Sequence, residues 1–244
     1  MIPQECIIVG GGASIKSQIE ALKTLLSHKF TILTNYAFLH FDGTLLTCID
    51  QEFYKPSPQP DGKEINPDYY NELSKLPLII STDSNNLPKI KHPNTLLLKP
   101  NAEYQREKCS VKGFYTGNLT GIFSLTVASY LMNYAGTIFL LGFDWDKRDK
   151  KTVDPKAYSS YSTIQTHYYD DIKHRGTGYV GYYENHDPQY FFKYFKEPKL
   201  KIYNVSLQSN IETFEKISYE KMFDLLSQET INQNELREEI KSKL

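Results

Sequence analysis

The residues best able to do chemistry in this chain fall at the ends of apolar runs. Ile7-Ile8-Val9 breaks into Gly10-Gly11-Gly12-Ala13-Ser14, a strand that turns through glycine and reopens as a helix. Such a turn offers backbone N–H groups at a helix N-terminus, where unpaired donors and the helix dipole both favour phosphate. Its spacing is not the GxGxxG of a dinucleotide fingerprint, and no Walker lysine follows. Three further runs end in polar groups: Asn35 after Phe30–Thr34, Asp50 after Leu45–Ile49, and Asp144 with Asp146 after Thr137–Leu141. A carboxylate at position 144 could hold a ribose hydroxyl, a metal or a protonated acceptor group, and Asp146 could share a magnesium ion with it. Thr116-Gly117-Asn118-Leu119-Thr120-Gly121 opens a helix and forms either a second anion cradle or an ordinary N-cap.

The histidines divide by position. His28, His40 and His92 lie away from the strand ends and read as structural. His167, His174 and His186 fall in or just after a tyrosine-rich stretch, where a general base is chemically reasonable. His186, in Tyr182-Tyr183-Glu184-Asn185-His186-Asp187, is the best candidate among them. Lys173-His174-Arg175 is a short basic patch that either closes over phosphates or is a solvated loop.

The elements that must position these groups follow from periodicity. Glu5–Val9 is a first strand, and Ala13–Ser27 has helical spacing through Ile15, Ile19, Leu22, Leu25 and Leu26. Further strands are expected at Leu78–Ser81, Thr95–Leu98 and Lys201–Val205, with a helix over Leu119–Tyr134. The prolines and glycine between Tyr54 and Asp68 mark a loop. Strands alternating with helices predict an α/β fold, a doubly wound, mostly parallel Rossmann-like sheet. In such sheets ligands bind beyond the carboxyl ends of the strands, which is where the polar residues above converge. The expected organisation is a nucleotide-binding domain over residues 1–217, carrying an insertion at about 147–190. A C-terminal helical extension follows over 218–244, its helix at Ile231–Leu244 packed on the surface or on another subunit.

Composition excludes several classes. With 28 basic and 29 acidic residues among 244, the net charge of −1 gives no pull toward nucleic acid. Cys6, Cys48 and Cys109 are far apart, which argues against a zinc site or disulfide framework and fits a cytoplasmic location. No apolar run approaches the roughly 18 residues of a membrane span. The 19 tyrosines, concentrated between Tyr158 and Tyr203, suit a wet pocket or an interface.

Taken in order, the glycine turn with Ser14, Asn35, Cys48-Ile49-Asp50, Thr120-Gly121, Phe139-Leu140-Leu141-Gly142-Phe143-Asp144-Trp145 and Gly178-Tyr179-Val180-Gly181-Tyr182 resemble bacterial sialyltransferases of the Campylobacter lipooligosaccharide type. Those enzymes are similar in architecture to the MptE-like (DUF115) proteins, which include archaeal pterin pyrophosphokinases. The resemblance implies that Gly10, Gly11, Gly12 and Ser14 hold nucleotide phosphate, that Asn35, Thr120 and Gly121 contact nucleotide or donor sugar, that Asp144 lies at the ribose, and that Tyr179 steadies the leaving phosphate. The family's histidine base corresponds to Tyr182 here, with His186 four residues on, and its second pocket asparagine corresponds to Asp50. A negative charge there repels a sialic acid carboxylate unless a metal intervenes, so both departures argue against sialyl transfer itself.

Three functions follow as expectations. The first is a glycosyltransferase using a nucleotide-sugar and a small-molecule or glycan acceptor, with His186 or Asp50 taking the acceptor's proton. The second is a pyrophosphokinase acting on a pterin-like or other small hydroxymethyl substrate, using ATP with Mg2+ on Asp50, Asp144 and Asp146. The third is a non-catalytic nucleotide-binding or assembly protein with its C-terminal helix as a contact surface, a homo-oligomer being one such assembly.

Overall fold

The computed structural model describes residues 1–49, 68–82, 94–99, 114, 119–145, 189, 192, 193 and 195–244. Among the described residues eight strands form one sheet: β1 (Glu5–Val9), β2 (Thr31–Thr34), β3 (Leu45–Thr47), β4 (Ile79–Thr82), β5 (Thr95–Leu98), β6 (Gly136–Leu141), β7 (Leu200–Asn204) and β8 (Glu215–Lys216). Their order is β5-β4-β3-β2-β1-β6-β7-β8, and every pairing is parallel. The chain therefore winds outward from β1 to β5, returns beside β1 as β6, and winds outward again. The Rossmann-like α/β fold expected from the strand and helix alternation is the fold observed.

Alternation along each strand sorts the core into two faces, as the period of a pleated strand requires. Ile7, Val9, Leu33, Leu46, Ile79, Phe139 and Leu141 pack on one face with Leu22 and Leu26 of α1 (Ile19–Ser27). Leu73 of α2 (Asp68–Lys75) and Met222 of α4 (Tyr219–Leu225) belong to the same face. Cys6, Ile8, Ile32, Leu45, Ile80, Ile138, Leu140 and Ile202 pack on the other face, against α3 (Thr120–Leu131) and α5 (Gln233–Lys243). A parallel sheet covered on both sides needs such apolar strands. α3 is buried nearly all round, polar Ser124, Thr126 and Ser129 included. Their hydroxyls return to the helix's own carbonyls at Thr120, Phe123 and Leu125, at 2.8, 2.8 and 2.7 Å.

Several boundaries differ from the sequence reading. The helix expected over Ala13–Ser27 divides into a 3-10 segment, Ala13–Gln18, and then α1. Here Ile15 N–H bonds Gly12 O (3.4 Å), and the Ser14 amide is drawn to a side chain instead of a carbonyl. α3 stops at Leu131 because Asn133 and Tyr134 take positive φ, 54° and 57°. The C-terminal helix packs within its own chain: Leu236 and Ile240 enter the core, and Arg237 donates to Thr44 O (2.9 Å) and Gly43 O (3.0 Å). Among the described residues no helix is long and apolar enough to cross a membrane.

Candidate functional site

The strand order reverses between β1 and β6, and the crevice at the carboxyl ends of two such strands is where open α/β sheets bind ligands. Here the two exits are zipped together. The amide of Gly10 donates to Leu141 O at 2.7 Å, and that of Gly12 to Gly142 O at 2.8 Å. A Cβ on Gly10 would stand 2.7 Å from Gly142 O, and one on Gly12 would stand 2.4 Å from Asp144 Oδ2. Glycine is required by this approach of backbone to backbone. Two residues on, the amide of Ser14 donates to Asp144 Oδ2 at 2.8 Å.

This corrects one expectation about the turn. The amides of Gly10, Gly12 and Ser14 are not bare, since the last residue of β6 and the loop after it take all three. At Ser14 the acceptor is itself an anion, so a carboxylate of the chain stands where a phosphate oxygen was expected.

Asp144 is only 6% exposed. Its backbone is fastened by the last residue of β7 and the segment after it. Asn204 Nδ2 and Ser209 Oγ both donate to Phe143 O (3.0 and 2.7 Å), Asn210 N–H to Asp144 O (2.8 Å), and Asn210 Nδ2 to Trp145 O (2.8 Å). Three consecutive carbonyls are thus held, across a loop with positive φ at Gly142 (69°) and Trp145 (50°). None of Asn204, Ser209 and Asn210 was singled out from sequence. The rule that polar groups after strands build the site would have found them had it been extended to β7.

Against this fixed carboxylate stand two hydroxyls. Asp144 Oδ1, Ser14 Oγ and Tyr219 Oη are all buried without a hydrogen-bond partner among the described residues. Burial, first, and the Asp144 carboxylate, second, push the Tyr219 phenol well above the ordinary tyrosine range. Ser14 acts in the opposite sense, although its hydroxyl and the phenol do not complete a hydrogen bond. Tyr219 was also missed, because only the β7–β8–α4 connection brings it to the turn.

Asn35 follows β2 at a positive φ of 49°, and its Oδ1 is likewise buried without a partner among the described residues. Continuing the β1–β2 register beyond Val9 and Leu33 sets Asn35 level with Gly11. Thr120 is buried at the start of α3. Ser124, one turn on, meets Thr47 Oγ1 at 2.6 Å, which fastens this end of α3 to the carboxyl end of β3. Gly121 faces protein: a Cβ there would meet the Phe143 ring at 2.9 Å. The same ring lies 3.1 Å from a Cβ built on Gly10, so Phe143 joins the glycine turn to the first turn of α3.

Asp50, Asp146, Tyr179, Tyr182 and His186 lie outside the described residues, as do His167, His174 and the basic patch. Among the described residues no group of three or more His, Cys, Asp or Glu side chains is placed to hold a metal. Asp144 Oδ1 is a hard oxygen of the kind magnesium takes, but its described neighbours Ser14 and Tyr219 bring only neutral hydroxyls.

No family model matches this chain, and no curated protein matches it. Among solved structures it is similar to the MAf glycosyltransferase from Magnetospirillum magneticum AMB-1, at 13% identity and a TM-score of 0.55. The likeness covers 98% of this chain but 36% of that one, so the chain spans about a third of its neighbour's length. At this identity the likeness is one of fold.

Proposed function

We propose that the chain is a nucleotide-dependent transferase, specifically a glycosyltransferase that takes a nucleotide-sugar. The observation that carries this reading is the polar corner at the β1–β6 reversal. Asp144, held by one oxygen to the Ser14 amide, keeps its other oxygen buried beside two hydroxyls, all three without a partner among the described residues. Polar groups left in that state ask for a polar ligand, and the place is the one where this fold binds nucleotides. The fold likeness to a protein named as a glycosyltransferase lends support.

In this reading Asp144 and Ser14 meet hydroxyls of the donor. The glycine turn at Gly11, together with Asn35, Thr120 and Tyr179, would face the nucleotide. The backbone dipoles stabilise charge on the departing nucleotide. His186, Tyr182 or Asp50 receives the acceptor's proton. In the pyrophosphokinase alternative, Asp144 Oδ1 and Asp146 would instead hold magnesium on ATP.

Thermal melting with UDP-glucose, GDP-mannose, CMP-N-acetylneuraminate and Mg-ATP separates these readings. A ligand at one hundred times its Kd adds about 2.7 kcal/mol of stability, which raises the melting temperature of a chain this size by roughly 5–10 °C. The expected result is such a rise with one nucleotide-sugar, without added metal. A rise with Mg-ATP alone would replace the glycosyltransferase reading with the pyrophosphokinase one. No rise with any nucleotide would leave the assembly protein.

A further inference from the structure

Ser14, Asp144 and Tyr219 come from three separate elements: the turn after β1, the loop after β6 and the first residue of α4. Buried polar atoms in folded proteins are nearly always paired, and here three oxygens without a partner among the described residues share one corner. Their inventory is specific. Asp144 Oδ1 only accepts, while Ser14 and Tyr219 have one proton each to give and lone pairs to spare. The single formal charge is negative, and Asp144 Oδ2 is already spent on the Ser14 amide. A second anion is therefore disfavoured, and a group that brings O–H donors is what the corner lacks.

We propose that Tyr219 is a ligand-contacting residue, its phenol joining Ser14 Oγ and Asp144 Oδ1 to receive the hydroxyl groups of an uncharged polyol, the ribose or hexose part of a nucleotide-sugar. This rests on the nucleotide-dependent reading and adds the residue and the part of the ligand it meets. It also makes α4, which the sequence reading set apart with the C-terminal extension, a wall of the site. The phenol remains protonated, and so remains a donor, because burial and the neighbouring carboxylate both oppose its ionisation.

The test is Tyr219→Phe, which keeps the ring beside Phe223 (6.5 Å between centroids) and removes only the oxygen. Melting of the free protein and titration calorimetry with UDP, GDP, CMP, UDP-glucose, GDP-mannose and CMP-N-acetylneuraminate are measured for both proteins. A hydroxyl that awaits a ligand contributes nothing to the free protein, so the variant should melt at the same temperature or slightly higher. Its affinity should fall about tenfold, the loss of one well-made hydrogen bond. The fall appears with the free nucleotide if the corner holds ribose, and with the nucleotide-sugar alone if it holds the transferred sugar. A melting temperature lowered by more than about 4 °C would make the phenol a structural bond and overturn the proposal. Unchanged affinity for nucleotides and nucleotide-sugars alike would also overturn it, leaving the nucleotide reading standing. If the wild-type protein binds none of the six, the nucleotide-sugar reading fails and takes the proposal with it.

Discussion

The two edges of the sheet carry similar polar residues in opposite states. At the amino edge most are paired, with Thr95 Oγ1 at the start of β5 an exception among the described residues. Lys29, only 8% exposed, donates to Ser227 O and to Glu229 O (2.6 Å). Gln233 Nε2 donates to Ser27 O (3.0 Å) and Lys29 O (2.9 Å), while its Oε1 accepts from Thr44 (2.8 Å). At the carboxyl edge Ser14, Asn35, Asp144, Ser206 and Tyr219 each keep a buried oxygen without a partner among the described residues. The amino edge even has a hollow of about 560 Å³, lined by Glu5, Lys29, Glu229 and Glu239 among others. This hollow and the unpaired oxygens therefore lie at different edges. The oxygens are the better guide, because a paired group gains little from a ligand while an unpaired one gains a bond it lacks. One edge stabilises the fold, and in the proposed function the other is stabilised by what it binds.

The largest effect should come from Gly12→Ala. The new methyl would fall 2.4 Å from Asp144 Oδ2 and 2.6 Å from Gly142 O, so the carboxylate and the β6 exit must both move. Overpacking of this kind costs about 3 kcal/mol, read as a lower midpoint in urea unfolding, and any nucleotide response should vanish with it. Adding Asp144→Ala removes one of the two clashes, so the double variant should lose less than the sum of the singles. Strict additivity would mean that the turn and Asp144 do not form one unit.

Lys29→Met should act at the other edge alone. Removing the ammonium leaves two carbonyls without their charged donor, at a cost of about 2 kcal/mol, or roughly 4–8 °C of melting temperature. The shift produced by a saturating nucleotide should stay as large as in the wild type. A variant that lost nucleotide response as well would show that the edges are coupled and undo the distinction.

How much of this was legible follows from the range of the interactions involved. Apolar runs of four or five residues separated by helical spacing disclosed the strands from β1 to β7, because a parallel sheet buried on both faces leaves a local signature. Gly10, Gly12, Ser14 and Asp144 stood out because glycines and carboxylates after apolar runs are local signals too. What sequence could not disclose is that Asp144 would consume the Ser14 amide. That contact spans 130 residues and depends on β1 and β6 being neighbours. Tyr219 is hidden for the same reason, lying behind a β8 of two residues that carries no pattern. The 3-10 segment at Ala13–Gln18 escaped because apolar spacing alone does not separate it from the α-helix that continues it.

The smallest effect belongs to His40, on the return path between the two edges. Burial, first, and the nearby Lys23 ammonium, second, hold its imidazole below the ordinary histidine value. On acidification the unfolded chain takes up a proton at this position before the folded one does. The resulting stability is therefore fully present above about pH 6.5 and is lost as the pH falls through the lowered folded value. Melting of the wild type between pH 7.5 and 5.5 should fall with a component that His40→Gln removes, and the nucleotide response should not change. The component should be small because the imidazole is partly solvated. If instead the variant flattened the pH dependence of nucleotide binding, His40 would belong with the unsatisfied carboxyl edge, and the boundary between the two regions would have to be drawn through β2 and its following turn.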